Sequence, residues 1–506
     1  MYAPTVPIIG SAPVLPIAYR HEGIVWAMNM AARCPRIAGA KRHWYSRRSH
    51  HADRTLALDR RARFGEGAVN DMPNDFEAHD FFRGDRFVSD PYPYFDYLRE
   101  QSPVVREPHQ GIFMVTGYDE ALAVYNDPAN FSSCMSTTGP FAGCPIPLAG
   151  HEQDDISELI ESYRDQTPFS DQLPTMDPPV HTAHRALLMS LITPKRLKEN
   201  EDFMWKLADE QIDTFIARGR CEFMDAYAQP FAVLVVSDLL GVPAEDRIEF
   251  RKHLIRVEQE SGGAVVGGTD GEVTHGPLVF LYDRFSAYIE DRRRNPGDDI
   301  LTGLAKATFP GGAVPEPIDV ARIAANLFSA GQETTVRLLS YAFKVIGERP
   351  DIQKRLREDR GLIPNFVEEC LRVEGPVKGD FRLAKKPTSV GGVDVPAGAF
   401  LYISNSAANR DSRKFDNPGA FELDRKNARL HVAFGAGRHA CPGAPLARAE
   451  AVVSLNRMFD RTSDIRIDET VHGPAGARRY SYLPTFILRG LTHIALEFDA
   501  VEAGPR

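Results

Sequence analysis

The stretch FGAGRHACPG, residues 434–443, is the most informative part of the sequence, because it places one cysteine, Cys441, among three glycines. Glycine tolerates backbone conformations that other residues avoid, so the chain can turn tightly enough here for amide N–H groups to point at the cysteine sulfur. A helix predicted to begin at Ala444 adds the positive end of its dipole. These donors would stabilise a thiolate. The stretch therefore predicts an anionic sulfur held in a tight loop.

Two other interpretations of this stretch are weaker. Gly435, Gly437 and Ala440 fit the dinucleotide-binding pattern G-x-G-x-x-A, but that pattern needs a preceding strand and a helix that follows at once. Pro442 and Gly443 delay the helix, and nothing resembling a βαβ unit surrounds the stretch. A lone cysteine is more often a small buried side chain, but the ten-residue context reverses that preference. An anionic sulfur in a tight loop is the kind of axial ligand that a haem iron needs.

Four further patterns accompany the loop. Taken singly they have ordinary explanations: Glu and Arg three residues apart usually form a surface pair, and a helical glycine usually marks a kink at a close packing contact. Their common order along the chain argues against coincidence. They are D-P-P-x-H-x-x-x-R at 177–185, A-G-Q-E-T-T at 330–335, E-x-x-R at 369–372 and F-x-x-P-x-x-F-x-x-x-R at 415–425.

The five patterns together resemble those of the cytochrome P-450 monooxygenases of bacteria, over about residues 75–498. The resemblance implies that family's fold, which is mainly α with small β-sheets and forms a single large domain with a long central helix over the haem. Apolar residues repeat at three and four from Pro317 to just before Pro350 and independently predict a helix of about 30 residues, roughly 45 Å long. The match to the family's F-x-x-G-x-[RH]-x-C-x-G signature rests on Phe434, Gly437, His439, Cys441 and Gly443.

The resemblance also implies the cofactor, which is haem b (iron protoporphyrin IX) with Cys441 as the axial thiolate ligand of its iron. Cationic or hydrogen-bonding side chains would bind the two haem propionates, since burying those carboxylates without partners would be costly. The propionate-binding residues implied are His181, Arg185, Arg382 and His439, and the other residues expected around the haem are Phe434, Gly437, Gly443 and Ala330.

Two catalytic residues and a structural cluster are implied in the same way. Thr334 would hold water or O2 by hydrogen bonding in a groove where the central helix is locally loosened, and Glu333 would relay protons. Glu369, Arg372 and Arg425 would form a buried charge cluster that locks the core behind the haem. The activity implied is insertion of one oxygen atom of O2 into a C–H bond.

The class of substrate is indicated by the predicted pocket. Family pocket positions combine apolar residues with a lysine, which permits a small hydrophobic molecule bearing a polar group. Terpenoid, steroid, fatty acyl and aromatic substrates all remain open. The pocket positions are Leu327, Ala330, Val377, Lys378 and Thr485.

The sequence contains no credible nicotinamide or flavin site, so electrons would come from a separate ferredoxin and its ferredoxin reductase. NAD(P)H would then act only indirectly. Arg438 and Arg448 are candidates for a docking patch for that partner, although they are as readily explained as solvated arginines. The alternative is a haem-thiolate protein that binds a ligand or senses a gas without turnover, and the Glu333–Thr334 pair argues against it.

Length, charge and cysteine content restrict the partners, the domain organisation and the compartment that the protein can have. The chain has 506 residues and a net charge of −9, which argues against a nucleic-acid partner. Residues 1–71 carry eleven Lys and Arg against five Asp and Glu, and we predict a basic extension that is disordered or follows a start codon assigned too early. The catalytic domain is predicted over 72–506. Six scattered cysteines favour a reducing compartment, and no apolar run is long enough to span a membrane, so a cytoplasmic monomer without a membrane anchor is expected.

Overall fold

The fold is organised around one helix of 32 residues, Pro317–Glu348. Proline at its first position is compatible with a helix start, and Pro350 prevents its continuation, so both ends follow from the sequence. The predicted apolar positions Val320, Ile323 and Leu327 are buried. The long helix predicted from the 3.6-residue periodicity is thus confirmed.

The computed structural model describes residues 75–189, 192–247, 249–250 and 276–501. The predicted extension, residues 1–71, lies outside the described residues. Asn74–Arg506 form one compact unit. The helices in chain order are α1 Tyr92–Gln101, α2 Tyr118–Tyr125, α3 Ser157–Ser162, α4 Val180–Met189, α5 Pro194–Asp213, α6 Gln229–Leu239, α7 Gly276–Arg294, α8 Ile300–Lys306, α9 Pro317–Glu348, α10 Pro350–Glu358, α11 Ile363–Glu374, α12 Asn405–Ala408, α13 Ala444–Arg461 and α14 Glu469–His472.

Three small sheets complete the described structure. Their strands are β1 Val104–Arg106, β2 Phe113–Val115, β3 Phe131–Ser132, β4 Arg220–Glu222, β5 Gly379–Ala384, β6 Thr388–Val390, β7 Val393–Val395, β8 Phe400–Ser404, β9 Thr462–Ile467 and β10 Ala495–Ala500. The largest sheet has five strands in the order β1-β2-β8-β5-β3, in which β2 and β8 are parallel and the other pairs are antiparallel. A three-stranded sheet has the order β4-β10-β9, and β6 and β7 form a hairpin. The architecture is therefore mainly helical with small sheets, as predicted.

Helix α9 stays continuous through its A-G-Q-E-T-T segment. Gly331 lies against α6, and a Cβ atom placed on it would approach Cγ2 of Val236 to 2.9 Å, so the glycine is required by close packing. The hydroxyls of Thr334 and Thr335 donate to the carbonyls of Ala330 and Gly331, four residues earlier. The packing explanation for the glycine is therefore sufficient, and the predicted local loosening of the helix is absent from the backbone here.

A buried charge cluster links α11 to the chain segment that leads towards the cysteine loop. Arg372 donates to both carboxylate oxygens of Glu369 at 2.7 Å, and neither side chain is exposed to solvent. Arg425 donates to the same carboxylate at 2.9 Å. The guanidinium of Arg372 also donates to the carbonyls of Asn409, Pro418 and Ala420. The three residues proposed as a structural cluster are thus in direct contact, and they hold residues 409–425 against α11.

No helix among the described residues combines the length and the apolar character needed to cross a membrane.

We expect Arg372→Met to lower the free energy of unfolding by about 3–5 kcal/mol, because it strands a buried carboxylate with one partner fewer and leaves three carbonyls without their donor. Urea unfolding followed by circular dichroism measures this loss. The matched control is Arg355→Met, which removes an exposed bidentate pair with Asp424 and should change stability little. Equal effects of the two substitutions would contradict the assigned role of the cluster.

Candidate active site

The cysteine loop is held by its own backbone. The N–H of Cys441 donates to the carbonyl of Phe434 at 2.8 Å. Gly437 has φ +64°, and a Cβ atom there would lie 2.5 Å from the carbonyl oxygen of Tyr125, so only glycine fits. The amides of Gly443 and Ala444, at the start of α13, donate to the Cys441 sulfur. The tight turn and the sulfur-directed N–H groups predicted from the sequence are both present.

Cys441 faces a recess rather than the outer surface. Its side chain is accessible, yet the surrounding protein is dense enough that burial raises the pKa of the thiol. The two amides and the guanidinium of Arg185 act in the opposite direction and lower that pKa. A cation bound to the sulfur would supply the stabilisation that burial removes. The environment therefore fits a sulfur that ligates a metal ion.

The four residues predicted to bind propionates lie close together. The rings of His181 and His439 stand 4.0 Å apart between centroids, and Arg382 and Arg185 are near enough to act on both imidazoles. Burial, aided by these cations, lowers the pKa of His181 to about 4 and that of His439 to about 2. The cluster thus concentrates positive charge and hydrogen-bond donors in a recess beside the cysteine loop, around Cys441.

The side chains of this cluster have fewer hydrogen-bond acceptors around them than they could use. Neither ring nitrogen of His181 has a hydrogen-bond partner in the described structure, although both are buried. Arg185 donates to the carbonyl of Ala440, and Arg382 pairs with Asp380 at 2.8 Å. Burial raises the pKa of Asp380 despite that pair. A ligand with carboxylates would supply the missing acceptors, so the side chains fit the propionates of a haem next to Cys441.

Phe434, at the start of the loop, lies under the guanidinium of Arg448, whose carbon is 4.7 Å from the ring centroid. Arg448 also donates to both carboxylate oxygens of Glu368, at 2.7 and 3.0 Å. Arg448 is therefore committed to an internal ion pair and is a poor candidate for a docking patch. Arg438 is exposed.

One face of α9 is open. Ala330 is exposed and residues 331–334 are half-buried, whereas α9 is mostly buried on either side of this stretch. The carboxylate of Glu333 lies 3.2 Å from Arg337, which itself donates to the carbonyl of Leu491. The predicted acid–alcohol pair thus occurs on one helix, with each member engaged by a partner of its own.

The predicted pocket residues divide into two groups. Ala330, Val377 and Thr485 each keep part of their surface accessible. Leu327 is buried in the core, and Lys378 is 2% exposed with its ammonium over the ring of Phe81. The inclusion of Lys378 among open pocket positions therefore needs correction: burial lowers the pKa of this lysine to about 7, and its side chain points into the protein. The alternation of side chains along the chain entering β5 explains why one position faces away.

Sequence reasoning missed Glu450. This residue is buried on α13, where it hydrogen-bonds to the hydroxyl of Thr335 at 2.9 Å, and burial raises its pKa to about 8. Thr334 and Thr335 are neighbours that serve different sides of α9, because one borders the open face and the other ties α9 to α13. A signal was available: Glu450 is the one acid in an apolar stretch of α13, AEAVVSL, residues 449–455.

Comparisons with known proteins agree with this geometry. The family model described as Cytochrome P450 matches residues 313–463. Cytochrome P450 144 of Mycobacterium tuberculosis is 31% identical over 428 residues, which cover 83% of this chain and 91% of that protein. Cytochrome P450 monooxygenase PikC of Streptomyces venezuelae is 30% identical over 430 residues, 84% of this chain and 95% of that protein.

A solved structure agrees over the same span. The substrate-free form of the Mycobacterium marinum cytochrome P450 CYP150A6 is 52% identical, with a TM-score of 0.78, and the match covers 84% of this chain and 100% of that one. The chain belongs to the cytochrome P450 family. It is a P450 monooxygenase, and its cofactor is a haem with a thiolate ligand. This excludes the alternative of a haem-thiolate sensor without turnover.

We expect the Glu450→Gln variant of this P450 to be more stable than the wild type at neutral and basic pH. The folded-state pKa is about 8 against an ordinary value of 4.5, so between these values only the folded state binds the proton. Stability therefore falls as pH rises through this interval, and glutamine removes that loss while keeping a hydrogen bond to Thr335.

The measurement is urea unfolding near pH 5 and near pH 8. The advantage of Glu450→Gln should grow from little to roughly 2–4 kcal/mol across that interval. Glu358→Gln, which alters an exposed glutamate beside Lys354, is the control and should show no such trend. A pH-independent difference between Glu450→Gln and the wild type would contradict the buried, protonated state.

Proposed function

We propose that this P450 inserts one oxygen atom of O2 into a C–H bond of a small hydrophobic molecule, with electrons delivered by a separate ferredoxin and its reductase. The observation that carries the proposal is the pairing of two features in one compact unit: a cysteine sulfur that receives N–H donors in a recess ringed by cations, and an open helix face bearing an acid and an alcohol.

In this proposal the loop residues bind and stabilise the cofactor. Cys441 would bind the haem iron through its thiolate, and the amides of Gly443 and Ala444 would stabilise the negative charge on its sulfur. Gly437 allows the turn, and Phe434 accepts the hydrogen bond that closes the loop. The haem, when bound, supplies the O2 activation and electron uptake that side chains lack.

The cationic cluster orients the cofactor. His181, Arg185, Arg382 and His439 would bind its propionates. The acceptor shortage at His181 would then be relieved, because a propionate oxygen takes up the hydrogen that an imidazole nitrogen donates. Asp380, paired with Arg382, limits the net positive charge of the cluster.

Two residues of α9 would handle protons. The hydroxyl of Thr334 now donates to the carbonyl of Ala330, and rotation about its χ1 frees the hydrogen for O2 or water on the open face. Glu333 places a carboxylate one residue away, 3.2 Å from Arg337, and it would have to leave that partner to exchange a proton. Both groups therefore need a side-chain movement before they act.

The proposed reaction is tested with ¹⁸O2, a surrogate ferredoxin system and a panel of hydrophobic compounds first selected by a low-to-high-spin shift. A product that carries one labelled oxygen atom is expected. Binding of compounds with electron consumption but no labelled product under any condition would contradict the proposed function.

Thr334→Ala should leave haem binding intact and divert electrons from product into peroxide, so that the ratio of product to electrons consumed falls about tenfold or more. The ratio is measured from NADH, product and peroxide together. The matched control is Thr214→Ala, which deletes an exposed hydroxyl engaged with the carbonyl of Gln211, in the same kind of local hydrogen bond. An unchanged ratio in Thr334→Ala would contradict the assigned role.

A further inference from the structure

The open face of α9 extends beyond the acid–alcohol pair. Asn326, Ala330 and Thr334 are spaced by four residues, so they lie on one side of the helix, and all three remain at least partly accessible. At about 1.5 Å per residue, Asn326 lies about 6 Å from Ala330 and about 12 Å from Thr334 along the helix axis. A polar carboxamide is therefore placed on the same face as the reacting groups but well away from them.

Asn326 is the end of a chain of polar contacts. Its side-chain N–H donates to Oε1 of Gln172 at 3.1 Å. The side-chain nitrogen of Gln172, Nε2, donates to the hydroxyl oxygen of Tyr282 on α7. Burial and the nearby carboxylate of Asp171 raise the pKa of Tyr282. Three separate segments of the chain are joined in this way.

The direction of the chain follows from its two hydrogen bonds. The side-chain nitrogen of Gln172 is occupied as a donor, because it donates to the hydroxyl oxygen of Tyr282. The side-chain carbonyl oxygen of Gln172 therefore faces Asn326 and accepts a hydrogen bond from the side-chain N–H of that residue. The carbonyl oxygen of Asn326, Oδ1, is then presented as an acceptor at the open end.

We propose that Oδ1 of Asn326 binds a hydroxyl group of the substrate, so that the natural substrate is a neutral, mostly apolar alcohol whose hydroxyl is remote from the oxidised carbon. The proposal rests on the proposed function and deepens it by naming the substrate class. A hydroxyl can donate to this acceptor, whereas an ether or a ketone cannot. A carboxylate is disfavoured because Arg322, one turn before Asn326 on α9, is already paired with Asp171 at 3.0 Å and with Asp319 at 3.5 Å.

Gln172 is a positioning residue in this arrangement. It contacts no substrate, but its carbonyl selects which way the Asn326 carboxamide faces. Gln172→Leu would leave that carboxamide free to reverse, and Gln172→Glu would keep an acceptor directed at it. The two variants therefore separate orientation of Asn326 from mere filling of space.

The test uses imidazoles whose ring nitrogen binds the haem iron and whose N1 substituent is an alkyl tail ending in a hydroxyl, a methoxy or a methyl group. The imidazole fixes one end of the probe, and a series of tail lengths scans the distance to Asn326. Dissociation constants come from the Soret shift. At one tail length the hydroxyl probe should bind roughly three- to tenfold more tightly than the methoxy and methyl probes, as one neutral hydrogen bond provides.

Asn326→Leu should abolish that preference and leave the affinity for unsubstituted imidazole unchanged. Gln172→Leu should reduce the preference and Gln172→Glu should retain it. Ser329→Ala, which removes a hydroxyl from the neighbouring part of the same helix, is the matched control and should bind like the wild type.

Equal affinity for the three tails at every length, or a hydroxyl preference that persists in Asn326→Leu, would overturn this proposal. Absence of any Soret shift with unsubstituted imidazole would instead contradict the proposed haem site, so the two failures are distinguishable. If Asn326→Leu fails to bind haem, the contrast between Gln172→Leu and Gln172→Glu decides the matter: equal preferences in those two variants would overturn the proposal.

Discussion

The buried carboxylate of Glu369 is the constraint on which the cysteine loop and the segment that leads into it, residues 409–425, depend. A carboxylate with no solvent exposure is tolerable only when its hydrogen-bonding capacity is met, and here two guanidiniums and the backbone amide of Glu422 meet it. Arg372 in turn holds three carbonyls of residues 409–420. Because that segment leads into the cysteine loop, the position of the Cys441 sulfur depends on a charge cluster that never touches it.

Local patterns predicted those parts of the fold and site that depend on short-range geometry. Spacing of three residues placed Glu369 and Arg372 on one helix face, and glycines around Cys441 predicted the turn at Gly437. Prolines at both ends predicted the bounds of α9. The direction of Lys378 was missed, because it depends on how the chain enters β5. The contact between Asn326 and Gln172 joins residues 154 apart, and no local pattern encodes such a meeting.

Helix α9 separates its functions by face. Gly331 and Thr335 face neighbouring helices, and they are explained by packing against Val236 and by the hydrogen bond to Glu450. The adjoining, more open side carries Thr334 near the proposed site of chemistry, with Asn326 about two turns away. A glycine and paired threonines that look unfavourable by helix propensity are therefore accounted for by two different requirements, one of packing and one of function. The same helix thus both supports the core and presents groups to a substrate.

The most direct test of the central claim, that Cys441 is the thiolate ligand of a bound haem, is the absorption spectrum of the reduced, CO-bound protein and of its Cys441→Ala variant. The wild type should show the long-wavelength Soret band typical of a haem with a thiolate ligand, and the variant should lose it even when haem remains bound. A haem-loaded wild type without that band, or a variant that retains it, would contradict the account.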